Sequence, residues 1–491
     1  MGRDVPAIVV SQQDRHAYHK KVRCCLDVFA RMLRESRFDT EPRQVGLEIE
    51  LHMVDEAGRP SMNNGEVLGE IADPIWAPEL GQFNLEINVP PQPLAGSALA
   101  RLERQVCVSL DHAGDRAGRA GSRLMLVGIL PTLRESDVGE HAMSPNPRYR
   151  LLNEEIFAAR GEEMRISIEG PERLLTRMDT ITPEAACTSA QFHLQVSPDT
   201  FASYWNAAQA VAGVQVAIGA NSPFLFGREL WRETRLTLFE QATDTRPDQL
   251  RRQGARPRVW FGERWIGSVL DLFEENLRYF PALLPLLEDE DPVAALDSGQ
   301  VPELGELTLH NGTIYRWNRP VYAVTNGGPH LRVENRVLPA GPTVADIMAN
   351  AAFYYGLVRA LAEADRPLWQ QMSFAAAADN LAAGARHGID ARLYWPGLGQ
   401  VPVTELVLRL LLPLAFDGLE RWGVDGGDAK RLLGIIEGRC LSGRTGATWQ
   451  AETVHALTRR GEDRCEALRL MTLGYLERMQ TNEPVHAWPS M

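Results

Sequence analysis

The chain has 491 residues, of which 44% are hydrophobic and 23% charged, and 51 basic against 64 acidic side chains give a net charge of -13. That length exceeds the roughly 250 to 300 residues over which one core grows. The composition is that of an ordinary globular protein, and the acidic balance argues against a nucleic-acid-binding surface.

Lysine occurs only at Lys20, Lys21 and Lys430. There is therefore no Gly-Lys-Ser/Thr phosphate loop, and Schiff-base chemistry has almost no candidate nucleophile. The six cysteines, Cys24, Cys25, Cys107, Cys187, Cys440 and Cys465, lack metal-ligand spacing and read as free thiols of a reducing compartment. No apolar run of about 18 residues is available to cross a membrane. The first residues lack the basic and apolar regions of a signal peptide, so a cytoplasmic location is expected.

In chain order, residues 12–37 carry Val22, Leu26, Phe29 and Leu33 at helical spacing. VGLEIELHM (45–53) predicts a strand with Leu47, Ile49, Leu51 and Met53 on one face and Glu48, Glu50 and His52 on the other, the two carboxylates about 7 Å apart. DEAGRP (55–60) reads as a hairpin turn and residues 61–78 as irregular. In GQFNLEINV (81–89), Phe83, Leu85, Ile87 and Val89 alternate with Gln82, Asn84, Glu86 and Asn88; the prolines at 90, 91 and 93 are expected to end this strand. A helix is expected over 94–120 and a buried strand in LMLVGIL (124–130). MSPNPRYRLLNEEI (143–156) enters a helix with Arg148, Tyr149 and Arg150 near its start. The helix dipole there favours anions, although surface arginines are commoner than carboxylate or phosphate sites.

AQFHLQV (190–196) predicts a further strand with His193 on its polar face, followed by an Ala- and Val-rich helix over 199–219. ANSPFLFGRELWRETR (220–235), which includes Arg235, is rich in aromatic and basic residues and suggests a pocket wall. HNGTIYRWNRPV (310–321) reads as a turn and a short strand bearing Arg316 and Arg319, and TNGGPH (325–330) as a glycine-rich loop. In PHLRVENRV (329–337), Leu331 and Val333 alternate with Arg332, Glu334 and Arg336. From Val344 onward the chain is expected to be almost wholly helical, with SGRTGATWQ (442–450) as either a helix connection or a phosphate-contacting loop.

If these strands pair in one antiparallel sheet, one face collects Glu48, Glu50, Glu86, Glu334, His193, Arg332 and Arg336. A solvated face is the plainer reading for a two-layer sheet, but such faces carry Thr, Ser and Lys, and here the repeated choice is Glu, Asn, Gln, His and Arg. Like charges about 4 Å apart cost roughly 4 kcal/mol at an effective dielectric near 20, so converging carboxylates call for a cation. Hard oxygen ligands favour magnesium, or manganese.

VGLEIEL (45–51), ELGQFNLEINVPP (79–91), AQFHLQV (190–196), ANSPFLFG (220–227) and HLRVENRV (330–337), with RTGATWQ (444–450) as a fainter echo, resemble the glutamate-cysteine ligases, in particular their carboxylate-amine ligase branch. The resemblance implies an α+β fold similar to glutamine synthetase, a curled antiparallel funnel packed on helices. It implies metal ligands at Glu48, Glu50, Glu79, Glu86 and Glu334, His193 beside the ATP phosphates, and Arg336 facing the transferred phosphoryl group. Arg235 and Arg316 are lesser phosphate-binding candidates; Arg332 and Arg148 complete the set. The organisation expected is an N-terminal helix (1–40), a catalytic sheet region (41–345) and a helical part (346–491), interdigitated as one domain.

The activity implied is ATP- and magnesium-dependent joining of a small carboxylic acid to an amine through an acyl phosphate, glutamate and cysteine being the family's pair. HNGTIYRWNRPVY departs from the general pattern and leaves the substrates open. The alternatives are another metal-dependent phosphoryl transfer on the same sheet, or a catalytically silent relative binding a metabolite or partner protein. Oligomeric state is also left open, a homo-oligomer among the options.

Overall fold

A computed structural model describes residues 12–38, 43–325 and 328–490. The start of the chain and part of the glycine-rich loop, residues 326–327, lie outside the described residues. Helix α1 (Gln12–Arg34) buries Val22 and Phe29 as its spacing predicts.

The centre is a seven-stranded sheet. Its strands are β1 (Gln44–Val54), β2 (Trp76–Pro78), β3 (Asn84–Pro93), β4 (Arg123–Met125), β5 (Ser189–Val196), β6 (Asn318–Thr325) and β7 (Gly328–Pro339). They lie in the order β6-β7-β5-β1-β3-β2, with β4 beside the end of β1, and every pair is antiparallel. The sheet curls into a half-barrel. Along β1 the alternation holds: Leu47, Ile49, Leu51 and Met53 are buried.

Several local expectations are corrected. Residues 61–78 contain helix α2 (Asn64–Ile71) and the edge strand β2. β3 does not stop at Pro90; it continues to Pro93, with Val45 opposite Gln92 and Gln44 opposite Pro93 beyond a bulge. β2 ends alongside Leu85 to Ile87, so the proline stretch is an edge on that side, where no ladder bond is lost. Of the apolar run at 124–130 only Leu124 and Met125 are strand, although Val127, Ile129 and Leu130 are fully buried. His310 lies in the last turn of a helix, Gly305–Gly312, rather than starting a turn.

The apolar sheet face packs on helices. Helix α3 (Ala98–Arg119) packs against β3 and β4, α4 (Pro147–Arg160) carries Leu151, Leu152 and Ile156 into a second core cluster, and α5 (Pro198–Gly219) is buried on nearly all sides, as its Ala- and Val-rich sequence demands. Helix α6 (Val344–Ala362) is buried likewise and places Tyr354 and Tyr355 against Phe192 of β5. Tyr355 also donates to the carbonyl of His193. After α6 come α7 (Phe374–His387) and α8 (Leu412–Trp422), separated by an unpredicted hairpin, Arg392–Trp395 with Gly399–Pro402. Among the described residues no helix is long and apolar enough to cross a membrane.

Two predicted motifs prove to be one buried junction. Asn221 of ANSPFLFG donates to the Ala340 carbonyl at 2.8 Å and accepts from Gln450 Nε2 of RTGATWQ at 2.8 Å. Gly446 lies against it so closely that a Cβ would fall 1.9 Å from Asn221 Oδ1. These segments tie a C-terminal helix to the sheet.

Candidate active site

Register explains how separated residues meet. Glu50 on β1 stands directly opposite Glu86 on β3, and Glu79 follows the end of β2, which pairs with β3 at Glu86. On the other side Glu48 is opposite Gln191, while His193 is opposite Glu334 and Arg319 opposite Glu334. The polar face therefore carries two groups, Glu48 with His193 and Glu334, and Glu50 with Glu79 and Glu86; within each group the ligand-type atoms lie within 4.8 Å of one another.

Arg336 links the groups. Its Nη1 donates to Glu334 Oε1 and to Gln191 Oε1, and Gln191 Nε2 donates to Glu50 Oε1 at 2.8 Å. The β7–β5 register slips between Asn335 and Leu338, and such a bulge re-aims a side chain. Behind the bulge, Arg235 is buried, paired with Glu233 at 3.0 Å, and donates to the Val337 carbonyl. It braces the segment that carries Arg336.

The electrostatics of the two groups differ. Glu334 is fully buried, yet Arg319, at 2.8 and 2.9 Å, and Arg336 overcome the burial and hold its carboxyl well below the usual range. Burial would raise Glu48 too, but the Nε2 edge of His193, 3.1 Å away, lowers it from its ordinary value. In the second group the charge is balanced only in part. Burial and Glu86 push Glu50 up to about 7 against the pull of Arg336, and burial with Glu86 and Glu50 raises Glu79 well above its usual value. Glu50 and Glu79 are forced toward protonation, which a divalent cation would relieve. The donor set of Glu50, Glu79 and Glu86 thus fits magnesium, and Glu48 with Glu334 supplies hard oxygens on the other side of Arg336.

His193 is held differently. Arg332 Nε donates to its Nδ1 at 3.0 Å, which assigns the ring proton of the neutral imidazole to Nε2. That atom lies 3.1 Å from Glu48 Oε1 and makes no well-directed hydrogen bond. In this state Nε2 is a donor, so the metal-type ligands of its group are the two carboxylates.

The remaining predicted residues are dispersed. Arg316 lies outside the main sheet, bonded to Glu275 and Asn276 and stacked over Trp260. Arg148 lies in the first turn of α4, whose start is capped by Asn146. Sequence reasoning passed over Arg319 and Gln191 as site residues. Their signal was present, since both lie on the polar faces of strands already read. Glu184, on the single turn Thr182–Ala186 before β5, carried no periodicity at all.

The fold is similar to that of glutamate-cysteine ligase from Francisella tularensis, solved in complex with AMP, at a TM-score of 0.54 and 12% identity over 91% of this chain and 90% of that one. It is also similar to a bifunctional glutathione synthetase from Pasteurella multocida, at a TM-score of 0.50 and 13% identity over 95% of this chain and 55% of that one. No curated protein matches the chain by sequence. The model of glutamate-cysteine ligase family 2 (GCS2) matches residues 44–472, and the chain belongs to this family.

Proposed function

We propose that the protein is an ATP- and magnesium-dependent ligase that joins a small carboxylic acid to an amine, glutamate being the first carboxylate to test and cysteine the first amine. Arg336, set between two carboxylate groups, is the observation that carries this reading. A carboxylate does not acylate an amine in water, because its oxygen is a poor leaving group. Transfer of the γ-phosphoryl group of ATP to that oxygen yields an acyl phosphate, which the amine opens with release of phosphate.

In this reading Glu50, Glu79 and Glu86 hold one magnesium ion, and Glu48 with Glu334 hold another, which when bound neutralise the triphosphate charge. Arg336 reaches the moving phosphoryl group and stabilises its charge, and Gln191 and Glu334 fix its direction. His193 presents its Nε2 proton to a phosphate oxygen, oriented by Arg332. Arg319 keeps Glu334 ionised. Arg235 acts from behind the sheet. No protein nucleophile takes part.

The test is phosphate release from ATP and magnesium by the purified protein, with glutamate and a panel of amines including cysteine. Release that requires both partners, with the mass of the amide product, supports the reading and names the pair. Release with phosphate transferred to a guanidino or amine group favours a kinase, and ATP binding without release under any pair favours a silent relative.

A further inference from the structure

Between Glu334 and Arg336 the alternation of β7 calls for an apolar residue, since Leu331 and Val333 fill that face, and the residue present is Asn335. It is fully buried, as is Asn318 directly opposite it on β6. Asn335 Nδ2 donates to Asn318 Oδ1 at 2.8 Å, Asn318 Nδ2 to Gln209 Oε1 at 2.7 Å, and Gln209 Nε2 to the Phe261 carbonyl at 2.6 Å. Gln215 exchanges bonds with Asn335 in both directions, at 3.2 and 3.4 Å. The amides of Asn335, Asn318, Gln209 and Gln215 thus run through the apolar layer between the sheet and α5, behind the cross-strand pair of Arg319 and Glu334.

Their place in the ladder is particular. Asn318 with Asn335 is the last pair of β6 and β7, and Asn335 is also the last residue of β7 in step with β5 before the bulge that aims Arg336. β6 is an edge strand, and both its faces are mixed: Asn318, Pro320 and Tyr322 on one, Arg319, Val321 and Ala323 on the other. Hydrophobic alternation therefore sets its register weakly, although a slip of one residue would carry Arg319 to the helix side and away from Glu334. The amides supply what the pattern lacks, because in a slipped register their buried donors and acceptors lose their partners. Buried polar groups specify register in this way with little or no gain in stability.

We propose, resting on the ligase reading above, that Asn318 and Asn335, held by Gln209 and Gln215, are positioning residues that lock β6 against β7. The lock keeps Arg319 on Glu334 and fixes the aim of Arg336 at the transferred phosphoryl group. The amides act through these two arginines and not on the substrate.

Turnover per folded molecule separates this role from a merely structural one. The full-length protein is compared with the variant Asn318→Leu/Asn335→Leu/Gln215→Met, which replaces the network by apolar groups of similar shape. Urea melts are run beside steady-state phosphate release from ATP and magnesium with glutamate and an accepted amine. The expected result is a melt midpoint no lower than that of the unmodified protein, a kcat per folded molecule lower by about 10- to 100-fold, and a KM for ATP within a few-fold. In the Arg336→Lys background the same three substitutions should lower kcat by less than about twofold, because their effect passes through a side chain already replaced. If the triple variant does not melt cooperatively, Gln209→Met takes its place; it removes only the acceptor of Asn318 and should lower kcat with the same dependence on Arg336. An unchanged kcat per folded molecule, or losses that multiply in the Arg336→Lys background, overturn the proposal and leave the ligase reading standing. An unmodified protein that releases no phosphate with any pair of substrates overturns the ligase reading, and this proposal with it.

Discussion

Arg336 and the carboxylates around it behave differently on substitution, because the two groups start from opposite electrostatic states. Glu86 sits among like charges, and Asn88 Nδ2 donates to it at 2.6 Å. Glu86→Gln should therefore leave the metal-free protein at least as stable, while turnover falls by about 100-fold or more and the magnesium requirement rises. Thermal melts beside steady-state phosphate release check both halves. Glu334 is the counterpart, fully buried between Arg319 and Arg336. Glu334→Gln leaves two arginines short of their anion and should destabilise the fold by about 3 kcal/mol in addition to losing turnover. Arg336→Lys keeps the charge but loses the guanidinium whose Nη1 donates to both Gln191 and Glu334. A kcat loss of about 100-fold with an unchanged melting temperature is expected.

At the scale of elements, the helical side depends on close backbone approach. A Cβ on Gly418 of α8 would lie 1.8 Å from the Gly356 carbonyl oxygen of α6, and one on Gly356 would lie 2.2 Å from the Ala415 oxygen. Gly418→Ala should cost about 1 to 3 kcal/mol, read as a lower urea midpoint, with activity per folded molecule retained. Neither glycine is conspicuous in the sequence, because a close crossing leaves no periodic trace. What was legible is the alternation of β1, β3, β5 and β7, since one buried and one polar face force a period of two. The site followed wherever its residues lay on those strands. What stayed hidden was set by pairing: β2 is three residues long, β3 tolerates prolines only because its partner ends, and Glu184 sits on a turn. Arg316 and Arg319 look alike in sequence, and only the pairing sends one to Glu275 and the other to Glu334.

For the molecule as a whole, carboxyls raised in the folded state link stability to pH and metal. The folded values of Glu50 and Glu184 are about 7 and about 8, against an ordinary 4.5. The folded state keeps protons that the unfolded chain has released, so their contribution is fullest below about 4.5 and is lost as pH rises through 7 to 8. Glu48, held below its ordinary value, acts oppositely; its contribution is present above 4.5 and lost only as pH falls below that value. Melting temperature without divalent ions should therefore decline from about pH 5 to pH 8, and saturating magnesium should flatten that decline. Identical pH profiles with and without magnesium would contradict a metal bound by these carboxylates.

The central claim is that this face activates a carboxylate by phosphorylation. It is tested most directly by supplying glutamate labelled with oxygen-18 in its carboxyl groups, with ATP, magnesium and an accepted amine, and weighing the released phosphate. An acyl phosphate requires one labelled oxygen to pass from the carboxylate to each phosphate formed. Turnover that releases only unlabelled phosphate would contradict the account.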